Sequence, residues 1–482
     1  MTGARITLLG SQHDILTSFL ESHPDGHERA AIVLFRRIRV HVEGLPDSDR
    51  HIAQEVIPFD EAWVTGSSFA QIAFELAPLN EIFRRCEDEN LVFGFIHNHP
   101  AGVAAFSHID EENERTLVKA LRNRNGPDIT FVAMLWAQGQ WLARTRSAAS
   151  PDTFVPVRHT LVLGERMALY GYKESSDGHN EVQARQAAAF GQPFVDMLQS
   201  LRVGVPGNGG TGSPFATLGA RAGIGELILI DKDPLAESNL NRVRGLMKAD
   251  VGGPKSETLR SFIEGIGLSI KVAAIASDVD ADPAAVDALA SCDVIVGGTD
   301  DFAGREMMNA ALYTYAQPLI DIGLGGKVDE GADGHPYLRY HYGRVSTILP
   351  EWGQCLFCQG VIKDVWVRTQ LARRENPNIT AEELKGRYLE DGGTDAPGVG
   401  PFTSAAADFA LATLFDLIKP FRRFSPEVRR DMFFVDFVKM VIQSHETVGD
   451  PNCPYCSTHE YLLLKESCRL NRPSLGKRDE AI

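Results

Sequence analysis

The chain has 482 residues, 44% of them hydrophobic and 23% charged, enough for roughly two or three domains that each bury a core. Its formal net charge is −16 and no long run of lysine or arginine occurs, so we expect neither nucleic acid nor an anionic membrane as a partner. No apolar stretch approaches the roughly 18 residues that span a bilayer. No signal peptide opens the sequence, and we therefore expect a cytoplasmic protein.

Residues 1–150 are predicted to form a mixed α/β domain. Its predicted elements are, in chain order, a helix over residues 12–21, strands over 31–42 and 54–58, a helix over 67–86, a strand over 91–96, a helix over 111–122, and strands over 129–136 and 140–143. A small, polar, proline-containing stretch at 147–152 marks a boundary, and residues 151–178 are interpreted as a linker.

Two histidines, His97 and His99, follow the apolar run 91–96. Alternation along a strand turns both side chains to one side of the backbone, where two imidazoles can share a metal ion. Asp110, from the start of the next helix, adds an oxygen ligand. Three protein ligands leave a fourth position for water, as in a catalytic zinc site. Two histidines on a polar strand face are the alternative interpretation.

Together with Ser107, these residues resemble the signature of the JAB/JAMM metalloprotease family, whose members cleave peptide or isopeptide bonds after ubiquitin-like tails. The resemblance implies an upstream glutamate that acts as general base. Glu28, at a predicted strand start, matches best, and Glu43 and Glu55 are its competitors. The resemblance also implies that Ser107 donates a hydrogen bond to the oxyanion of the tetrahedral intermediate. A helix N-cap is the alternative role of Ser107, and one does not exclude the other.

Residues 179–482 are predicted to form the second domain, in which strands and helices alternate. After a helix over 180–200, strands are predicted at 202–205, 227–230, 270–275, 294–297 and 319–322, with helices at 216–222, 255–266, 284–289 and 303–316 between them. This alternation is typical of a mostly parallel sheet with helices on both faces.

A glycine-rich loop follows the first of these strands and contains Gly207, Gly209, Gly210 and Gly212. Such a loop brings backbone amides and a helix N-terminus to phosphate groups. Asp231, at the end of the next strand, is placed to hold a ribose hydroxyl. Up to this point an NAD-binding Rossmann domain is equally consistent with the sequence.

Five further residues occur in an order and spacing similar to the adenylation domain of the ThiF/MoeB and ubiquitin-activating enzyme superfamily: Arg185, Asn239, Arg242, Lys255 and Asp300. The resemblance implies that the enzyme joins the C-terminal glycine of a ubiquitin-like protein to AMP, and that it works as a homodimer. A carboxylate that attacks a polyanionic triphosphate needs cations at fixed positions.

The resemblance gives each of these residues a role. Arg242, Lys255 and, across the dimer interface, Arg185 offset the negative charge. Asn239 binds phosphate or orients Arg242. Asp231 holds the ribose, and Asp300 holds magnesium that bridges the phosphates.

Four of the seven cysteines form two pairs with two-residue gaps: Cys355, Cys358, Cys453 and Cys456. In a chain without an export signal, such pairs are typical of metal binding rather than of disulfides. Four thiolates make a closed tetrahedral zinc site, and the same motifs flank the C-terminal half of many ThiF-like enzymes. We predict a structural zinc ion there, with two unrelated reduced pairs as the alternative.

Family members that carry their substrate as a thioester place a cysteine shortly before a Gly-Val-x-x-Pro-like segment. Here residues 392–401 contain no cysteine, and Thr394 takes the place by rough alignment. Cys292 is interpreted as a packing residue, and Cys86 and Cys468 have no motif context. The enzyme is therefore expected to stop at the acyl-adenylate, to use a hydroxyl, or to hand the acyl group to another protein such as a conjugating-type enzyme.

The sequence thus predicts an α/β protein in which a JAB/JAMM zinc peptidase precedes a ThiF-like adenylation domain with a tetracysteine site. Its expected cofactors are zinc, ATP and magnesium, and its expected partner is a ubiquitin-like protein of a bacterial conjugation pathway. Two alternatives remain open. One is activation of a sulfur carrier for thiocarboxylate formation in cofactor synthesis, and the other is a nucleotide-binding scaffold with an inactive peptidase.

Overall fold

The computed structural model describes residues 3–100, 102–172, 181–392, 397–422, 431–445 and 447–463. Within these ranges the chain forms two large sheets, of nine and eight strands, and one separate two-stranded sheet. Both large sheets have buried strands at their centres and helices on their faces.

The first half supplies the nine-stranded sheet and the two-stranded sheet. Its strands are β1 (Arg5–Leu9), β2 (Ala30–Val40), β3 (Ser48–Pro58), β4 (Val64–Ser68), β5 (Gln71–Phe74), β6 (Val92–Asn98), β7 (Thr130–Ala137), β8 (Gln140–Ser147), β9 (Ser150–Pro156), β10 (His159–Leu163) and β11 (Met167–Tyr170). Its helices are α1 (Gly10–Leu20), α2 (Leu79–Asp88) and α3 (His108–Asn125). The strand order is β11-β10-β1-β3-β2-β6-β7-β8-β9, so β6 lies inside the sheet.

The predicted helix over residues 67–86 is wrong in its first half. Residues 64–74 form the hairpin β4–β5, and the helix begins only after Pro78. The apolar residues of this stretch fit a helical period, but Gly66 and the polar pair Ser67 and Ser68 favour a turn-rich strand pair. Proline before the first helical residue is a frequent helix start, because its fixed φ suits the first turn.

The predicted linker over residues 151–178 is also wrong as far as residue 170. Strands β9, β10 and β11 occupy residues 150–170, and β10 pairs in parallel with β1, from Arg5 opposite His159 to Leu9 opposite Leu163. The boundary predicted at residue 150 therefore falls inside the first sheet. The two paired strands are about 150 residues apart in the sequence, so no local sequence pattern indicates that they pair.

The second half supplies the eight-stranded sheet. Its strands are β12 (Arg202–Pro206), β13 (Glu226–Ile230), β14 (Lys271–Ile275), β15 (Val294–Gly297), β16 (Leu319–Glu330), β17 (Pro336–Ile348), β18 (Met432–Asp436) and β19 (Val441–His445). Its helices are α4 (Ala184–Phe190), α5 (Gln192–Ser200), α6 (Gly212–Ala222), α7 (Lys255–Gly265), α8 (Pro283–Ala290), α9 (Phe302–Thr314), α10 (Asp364–Glu375), α11 (Ala381–Gly386) and α12 (Gly400–Ile418).

The second sheet has the order β14-β13-β12-β15-β16-β17-β18-β19. Its pairs from β14 to β16 are parallel and those from β16 to β19 are antiparallel, so the prediction of a mostly parallel sheet is correct for the part from β14 to β16. Strand order reverses between β12 and β15, which is where open α/β sheets bind ligands. The predicted helix over 180–200 is divided at Gly191, whose φ is +90°.

Helix α12 contradicts the expectation that no apolar stretch approaches the length of a membrane span. It has 19 residues and a mean hydropathy of 1.2, so by length and composition it could cross a bilayer. Half of that window is buried inside the protein, where α12 packs on α6, β16 and β17. Its place in the core accounts for its apolar composition.

Arginines of the first half reach into the second half. Arg5 Nη1 donates to Asp293 Oδ2 at 2.8 Å. Arg50, which is fully buried, donates to Ala290 O at 2.7 Å and to Tyr315 O at 3.1 Å. These two carbonyls lie at the ends of α8 and α9, where helices leave acceptors unpaired. The first half thus caps two helices of the second.

Candidate functional site

The N-terminal histidine cluster, defined as His97, His99 and Asp110, lies at the end of β6. The Nε2 atoms of His97 and His99 lie 3.3 Å apart. Asp110 places Oδ1 3.1 Å from Nε2 of His97 and Oδ2 3.3 Å from Nε2 of His99. All three side chains are buried, and their ligand atoms lie within 4.8 Å of one another. Two imidazole nitrogens and a carboxylate fit a zinc ion with one open position.

Asp110 is held by the start of α3. Ser107 is the N-cap of this helix: its Oγ accepts the N–H of Asp110 at 3.2 Å, and its own N–H donates to Asp110 Oδ2 at 2.6 Å. The cap role considered for Ser107 is therefore present. The hydrogen bonds from His97 and His99 hold the pKa of the Asp110 carboxyl well below its usual range, although burial alone would raise it.

One turn further along α3, Glu114 fixes the helix to the sheet. Its carboxylate accepts from Arg144 at 2.8 Å and from Arg146 at 2.5 Å, and all three side chains are buried. The Arg144 guanidinium also lies 4.0 Å from the ring centre of Phe106, next to the cap residue. This network sets the helix that carries Asp110, and the sequence patterns gave no sign of it.

Glu28 lies beside the histidine cluster. Its carboxylate is 3.9 Å from Nε2 of His99, and its backbone N–H donates to Ser68 O at 2.7 Å. Burial raises the pKa of Glu28 to about 7, although the charges of His97 and His99 act in the opposite direction.

The two competing glutamates lie elsewhere. Glu55 pairs with Arg85 at 2.7 Å, and Glu43 is exposed. Of the three candidates, the structure therefore brings only Glu28 to the cluster. A cavity of about 320 Å³ opens next to His99 and is lined also by Glu21, His27, Trp136 and Gln138. It offers room for a substrate group on that side of the cluster.

The glycine-rich loop joins β12 to α6. Gly207 has a φ of +84°, and a Cβ there would lie 2.4 Å from the Thr299 nitrogen. A Cβ on Gly212 would lie 1.8 Å from the Gly207 oxygen. These two glycines are therefore required by the close approach of the backbone. Gly209 faces open space among the described residues, and Gly210 lies against Arg242.

Asp231 follows β13 and supports the glycine-rich loop. Its carboxylate accepts the N–H of Asn208 at 2.6 Å and that of Asp233 at 2.9 Å. Burial raises the pKa of Asp231, and the nearby Lys255 opposes this effect. Lys255 begins α7, is almost fully buried, and pairs with Asp233 at 2.9 Å. One carboxylate and one ammonium thus lie beside the loop.

Arg242 extends along the same loop. A Cβ on Gly210 or on Gly398 would lie 3.1 Å from Cδ of Arg242. Its Nη1 donates to Ser238 O at 2.8 Å. The Asn239 side chain accepts the N–H of Ala236 in its own turn, and the Asn239 carbonyl accepts the N–H of Arg242 at 3.0 Å. The structure therefore connects Asn239 to Arg242 through the backbone.

Asp300 lies in the loop between β15 and α9 and is exposed. This loop touches the glycine-rich loop, because Thr211 Oγ1 donates to Gly298 O at 3.1 Å. The carboxyl ends of β12, β13 and β15 thus bring the glycine-rich loop, Asp231 and Asp300 to one edge of the sheet, at the point where the strand order reverses.

The four paired cysteines converge. Sγ of Cys355 lies 3.4 Å from Sγ of Cys453, and Sγ of Cys358 lies 3.5 Å from Sγ of Cys456. A disulfide would need about 2.05 Å, whereas zinc–sulfur bonds of about 2.3 Å in a tetrahedron place sulfurs roughly 3.8 Å apart. The set fits a four-thiolate zinc ion, and Asn309 Oδ1 holds the loop by accepting the N–H of Leu356 at 2.9 Å.

Comparison with known proteins identifies the second half. The sequence profile described as ThiF family matches residues 183–456, more than half of the chain. The chain belongs to the ThiF family. Its second half is thus an adenylyltransferase-type domain, which agrees with the sheet order and with the glycine-rich loop at the reversal. The histidine cluster lies outside the matched residues.

Several curated relatives share this ThiF domain. The vegetative HesA protein of Trichormus variabilis is 26% identical over 272 residues, which cover 56% of this chain and 86% of that protein. The SAMP-activating enzyme E1 of Haloferax volcanii is 30% identical, over 33% of this chain and 54% of its own length. The sulfur carrier protein ThiS adenylyltransferase of Escherichia coli is 34% identical, over 27% of this chain and 53% of its own length.

Arg185 lies at the start of α4, in the ThiF domain, and is exposed. Its neighbours Gln183 and Gln186 donate to Arg221 O and Ala222 O, at the C-terminal end of α6. The glycine-rich loop lies at the opposite end of this 11-residue helix. The two ends are separated by about 16 Å, at 1.5 Å per helical residue. The structure therefore does not bring Arg185 to the loop of its own chain.

Thr394 and Cys468 lie outside the residues that the structure describes. The sequence analysis also missed a helix that touches the nucleotide site. Gln370 and Arg374, both on α10, contact the loop and helix that follow Asp300. Their spacing of four residues, continued back to Trp366, was a visible signal for one face of a helix.

Proposed function

We propose that this ThiF-family chain joins the C-terminal glycine carboxylate of a ubiquitin-like protein to AMP, with ATP and magnesium as co-substrate and cofactor. The main support is the grouping of the glycine-rich loop, Asp231, Lys255 and Arg242 around one edge of the sheet. Relatives whose names describe activation of SAMP or of the sulfur carrier ThiS share this domain.

The proposed reaction is attack by the glycine carboxylate on the α-phosphorus of ATP. The new bond joins the carboxylate oxygen to phosphorus, and the bond to the bridging oxygen breaks, so that pyrophosphate leaves. Negative charge grows on the transferring phosphoryl group, and fixed cations stabilise it. Arg242 and Lys255 would supply these charges, because Arg242 lies against the loop that would carry the phosphates and Lys255 lies near Asp231, which holds that loop.

The remaining residues would hold the nucleotide. Asp231 would accept a hydrogen bond from the ribose, and Asp300 would hold the magnesium ion that offsets the negative charge of the phosphates. Asn239 would keep Arg242 in place through its carbonyl. Arg185 would serve the site of the second subunit in a homodimer, since α4 lies at the far end of α6 from its own glycine-rich loop.

The product itself tests this proposal. The chain, ATP and magnesium are incubated with a ubiquitin-like protein that ends in glycine, and the bound species is analysed by intact mass spectrometry. We expect the partner to gain the mass of one AMP group, and Lys255→Ala to prevent it. If the partner never gains this mass, the chain does not adenylate it, and a nucleotide-binding scaffold becomes the better interpretation.

We propose in addition that the histidine cluster is a JAB/JAMM-type zinc peptidase that cleaves after ubiquitin-like tails. Its support is the convergence of His97, His99 and Asp110 beside the buried Glu28. His97, His99 and Asp110 would hold a zinc ion, which would lower the pKa of a bound water molecule to about 7. Glu28 would accept the proton of this water, and Ser107 would donate a hydrogen bond to the oxyanion.

Replacing the base tests the peptidase. Glu28→Gln keeps the shape of the side chain but removes its ability to accept a proton, so we expect cleavage of a ubiquitin-like fusion to fall by about 100-fold or more while zinc remains bound. Glu55→Gln is the matched control, because Glu55 pairs with Arg85 away from the cluster, and it should cleave normally. An inactive Glu55→Gln beside an active Glu28→Gln would reverse the assignment.

Activation of a sulfur carrier for thiocarboxylate formation is the second candidate, and the names of the relatives favour it as much as conjugation does. The two differ in what becomes of the acyl-adenylate. A sulfurtransferase that carries a persulfide would attack the acyl-adenylate and expel AMP, and an added thiol would reduce the resulting acyl disulfide to the thiocarboxylate. Incubation with a conjugating-type enzyme would instead give transfer to a cysteine or lysine, again with release of AMP. The two products differ in mass, so one experiment distinguishes the two pathways.

A further inference from the structure

Helix α10 caps the helix that follows Asp300. Trp366, Gln370 and Arg374 are spaced four residues apart and so share one face of α10. The Trp366 ring centre lies 5.3 Å from that of Phe302, the first residue of α9. Gln370 Oε1 accepts the N–H of Phe302 at 2.8 Å and that of Ala303 at 3.3 Å. The N-cap Asp301 accepts the Ala303 N–H at 3.1 Å, and Gln370 adds an acceptor for the Phe302 N–H and a second one for the Ala303 N–H.

Arg374 fixes the acidic side of the same loop. Its guanidinium donates to Asp301 Oδ2 at 2.5 Å and to Asp280 Oδ2 at 2.8 Å, and lies 3.7 Å from Asp278 Oδ1. Lys232 also faces this group and pairs with Asp278 at 2.8 Å. Carboxylate oxygens of Asp278, Asp280 and Asp301 lie within 4.8 Å of one another. Without Arg374, these three negative charges would repel one another.

The neighbouring face of α10 is anchored to the chain that follows it. Thr369 Oγ1 donates to Glu390 O at 2.9 Å, and Arg373 makes two hydrogen bonds with Asp391, at 3.0 and 2.7 Å. A Cβ on Gly392 would lie 2.3 Å from the Trp366 ring. Thr369 and Arg373 thus hold α10 to the chain that follows it, while Gln370 and Arg374 contact the start of α9.

We propose that Gln370 and Arg374 are positioning residues that set the Asp300 loop for magnesium-bound ATP. Asp301 is the N-cap of α9 and the direct neighbour of Asp300, so an ion pair that fixes Asp301 also fixes the backbone from which Asp300 projects. The inference deepens the proposed adenylation and rests on it, because it takes Asp300 as the magnesium ligand.

Calorimetric titration with ATP, in magnesium and again in chelator, tests the inference without any protein partner. The ratio of the two dissociation constants isolates the gain in affinity that magnesium provides. Arg374→Ala should reduce this ratio by about tenfold or more, since displacement of a binding group by about 1 Å can cost 100-fold. ATP binding in chelator should change little, which a merely destabilised protein would not show.

Arg368→Ala is the matched control, because Arg368 is an exposed arginine of the same helix and, among the described residues, pairs with Asp364 one turn earlier. It should keep the wild-type ratio. Gln370→Ala removes one acceptor and no charge, so it should fold and lower the ratio by a smaller factor. Arg374→Lys, which keeps the charge, should recover part of the loss.

The outcomes separate the inference from the proposed function. If wild-type protein gains affinity from magnesium and both Arg374→Ala and Gln370→Ala gain as much, the positioning role is wrong while the proposed function stands. If wild-type protein binds no ATP, the proposed adenylation fails and the positioning role fails with it.

Discussion

At the scale of single residues, the described cysteines outside the tetracysteine set are poor carriers of an acyl group. Cys292 and Cys86 are both buried, and burial raises the pKa of each thiol to about 12. The thiolate is the nucleophile, so at neutral pH these thiols are inert. The other four described cysteines face one another in the tetracysteine set.

We therefore predict that no thioester forms. With ATP and a ubiquitin-like protein, a denaturing gel should show no covalent band that thiol reagents remove, and Cys292→Ser should activate the partner like wild type. A thiol-sensitive band that disappears on changing Cys86, Cys292 or Cys468 would contradict the prediction. A band resistant to thiol, cleaved by mild base and absent in Thr394→Ala would instead establish a hydroxyl-linked intermediate.

The residues that the sequence could predict are those with a local pattern. His97 and His99 follow from alternation on a strand, and Gly207 and Gly212 follow from the need for close backbone approach, which the structure shows directly. Glu114 could not be predicted, because its two arginine partners lie 30 and 32 residues away on a neighbouring strand. A charged residue in a helix is usually solvated, and only the fold reveals such a buried partner.

At the scale of elements, the two clusters differ in how they are tied to the fold. The histidine cluster takes ligands from β6 and from the start of α3, elements that are already packed in a sheet-and-helix core. The four thiols lie on two loops, 98 residues apart in the sequence, that meet at the cluster and in the stacked rings of Phe357 and Tyr455. Metal at the first site should therefore matter little for folding, and metal at the second should matter much.

Elemental analysis should find two zinc ions per chain. His99→Ala should lose one ion and unfold in urea close to the wild-type midpoint. Cys358→Ser should also lose one ion, but the second half should lose more than about 4 kcal/mol of stability, since loss of a structural metal is one of the few changes that cost this much. About one zinc ion in the wild-type protein would eliminate one of the two sites.

The errors in the predicted elements have physical causes. The strands of residues 150–170 lack any local feature that separates them from a loop, since their partners lie in β8 and, 150 residues earlier, in β1. The apolar residues of the hairpin β4–β5 have spacings that fit both a helix and a strand. The chain forms strands there because β4 and β5 pair with each other. In contrast, the alternating strands and helices of the nucleotide-binding part have strong local signals, and their succession along the chain was predicted correctly.

At the scale of the whole molecule, the two halves share one interface of buried charges. Arg5 pairs with Asp293, Arg202 donates to Pro46 O at 2.7 Å, and Arg50 caps α8 and α9. Breaking one partner of a buried pair typically costs about 3–5 kcal/mol. The adenylation half is therefore built against the first half.

Two copies of the chain should be needed for one complete nucleotide site. Arg185→Ala and Lys255→Ala are each expected to be inactive in adenylation. An equal mixture whose subunits exchange should recover about one quarter of wild-type activity, because half of the dimers are mixed and each has one site with both residues intact. The measurement is adenylate formation after co-refolding. No recovery in subunits shown to exchange would mean that each chain completes its own site.

The exchange of labelled pyrophosphate into ATP tests the central claim most directly, because only reversible formation of an acyl-adenylate gives this exchange. With a ubiquitin-like protein that ends in glycine, we expect wild-type protein to catalyse exchange and Lys255→Ala to lose it. Lys271→Ala is the control, since Lys271 is exposed at the amino end of β14, whereas the proposed site lies at the carboxyl ends of the strands. No exchange by wild-type protein, or exchange that persists when the terminal glycine is deleted, would contradict the account.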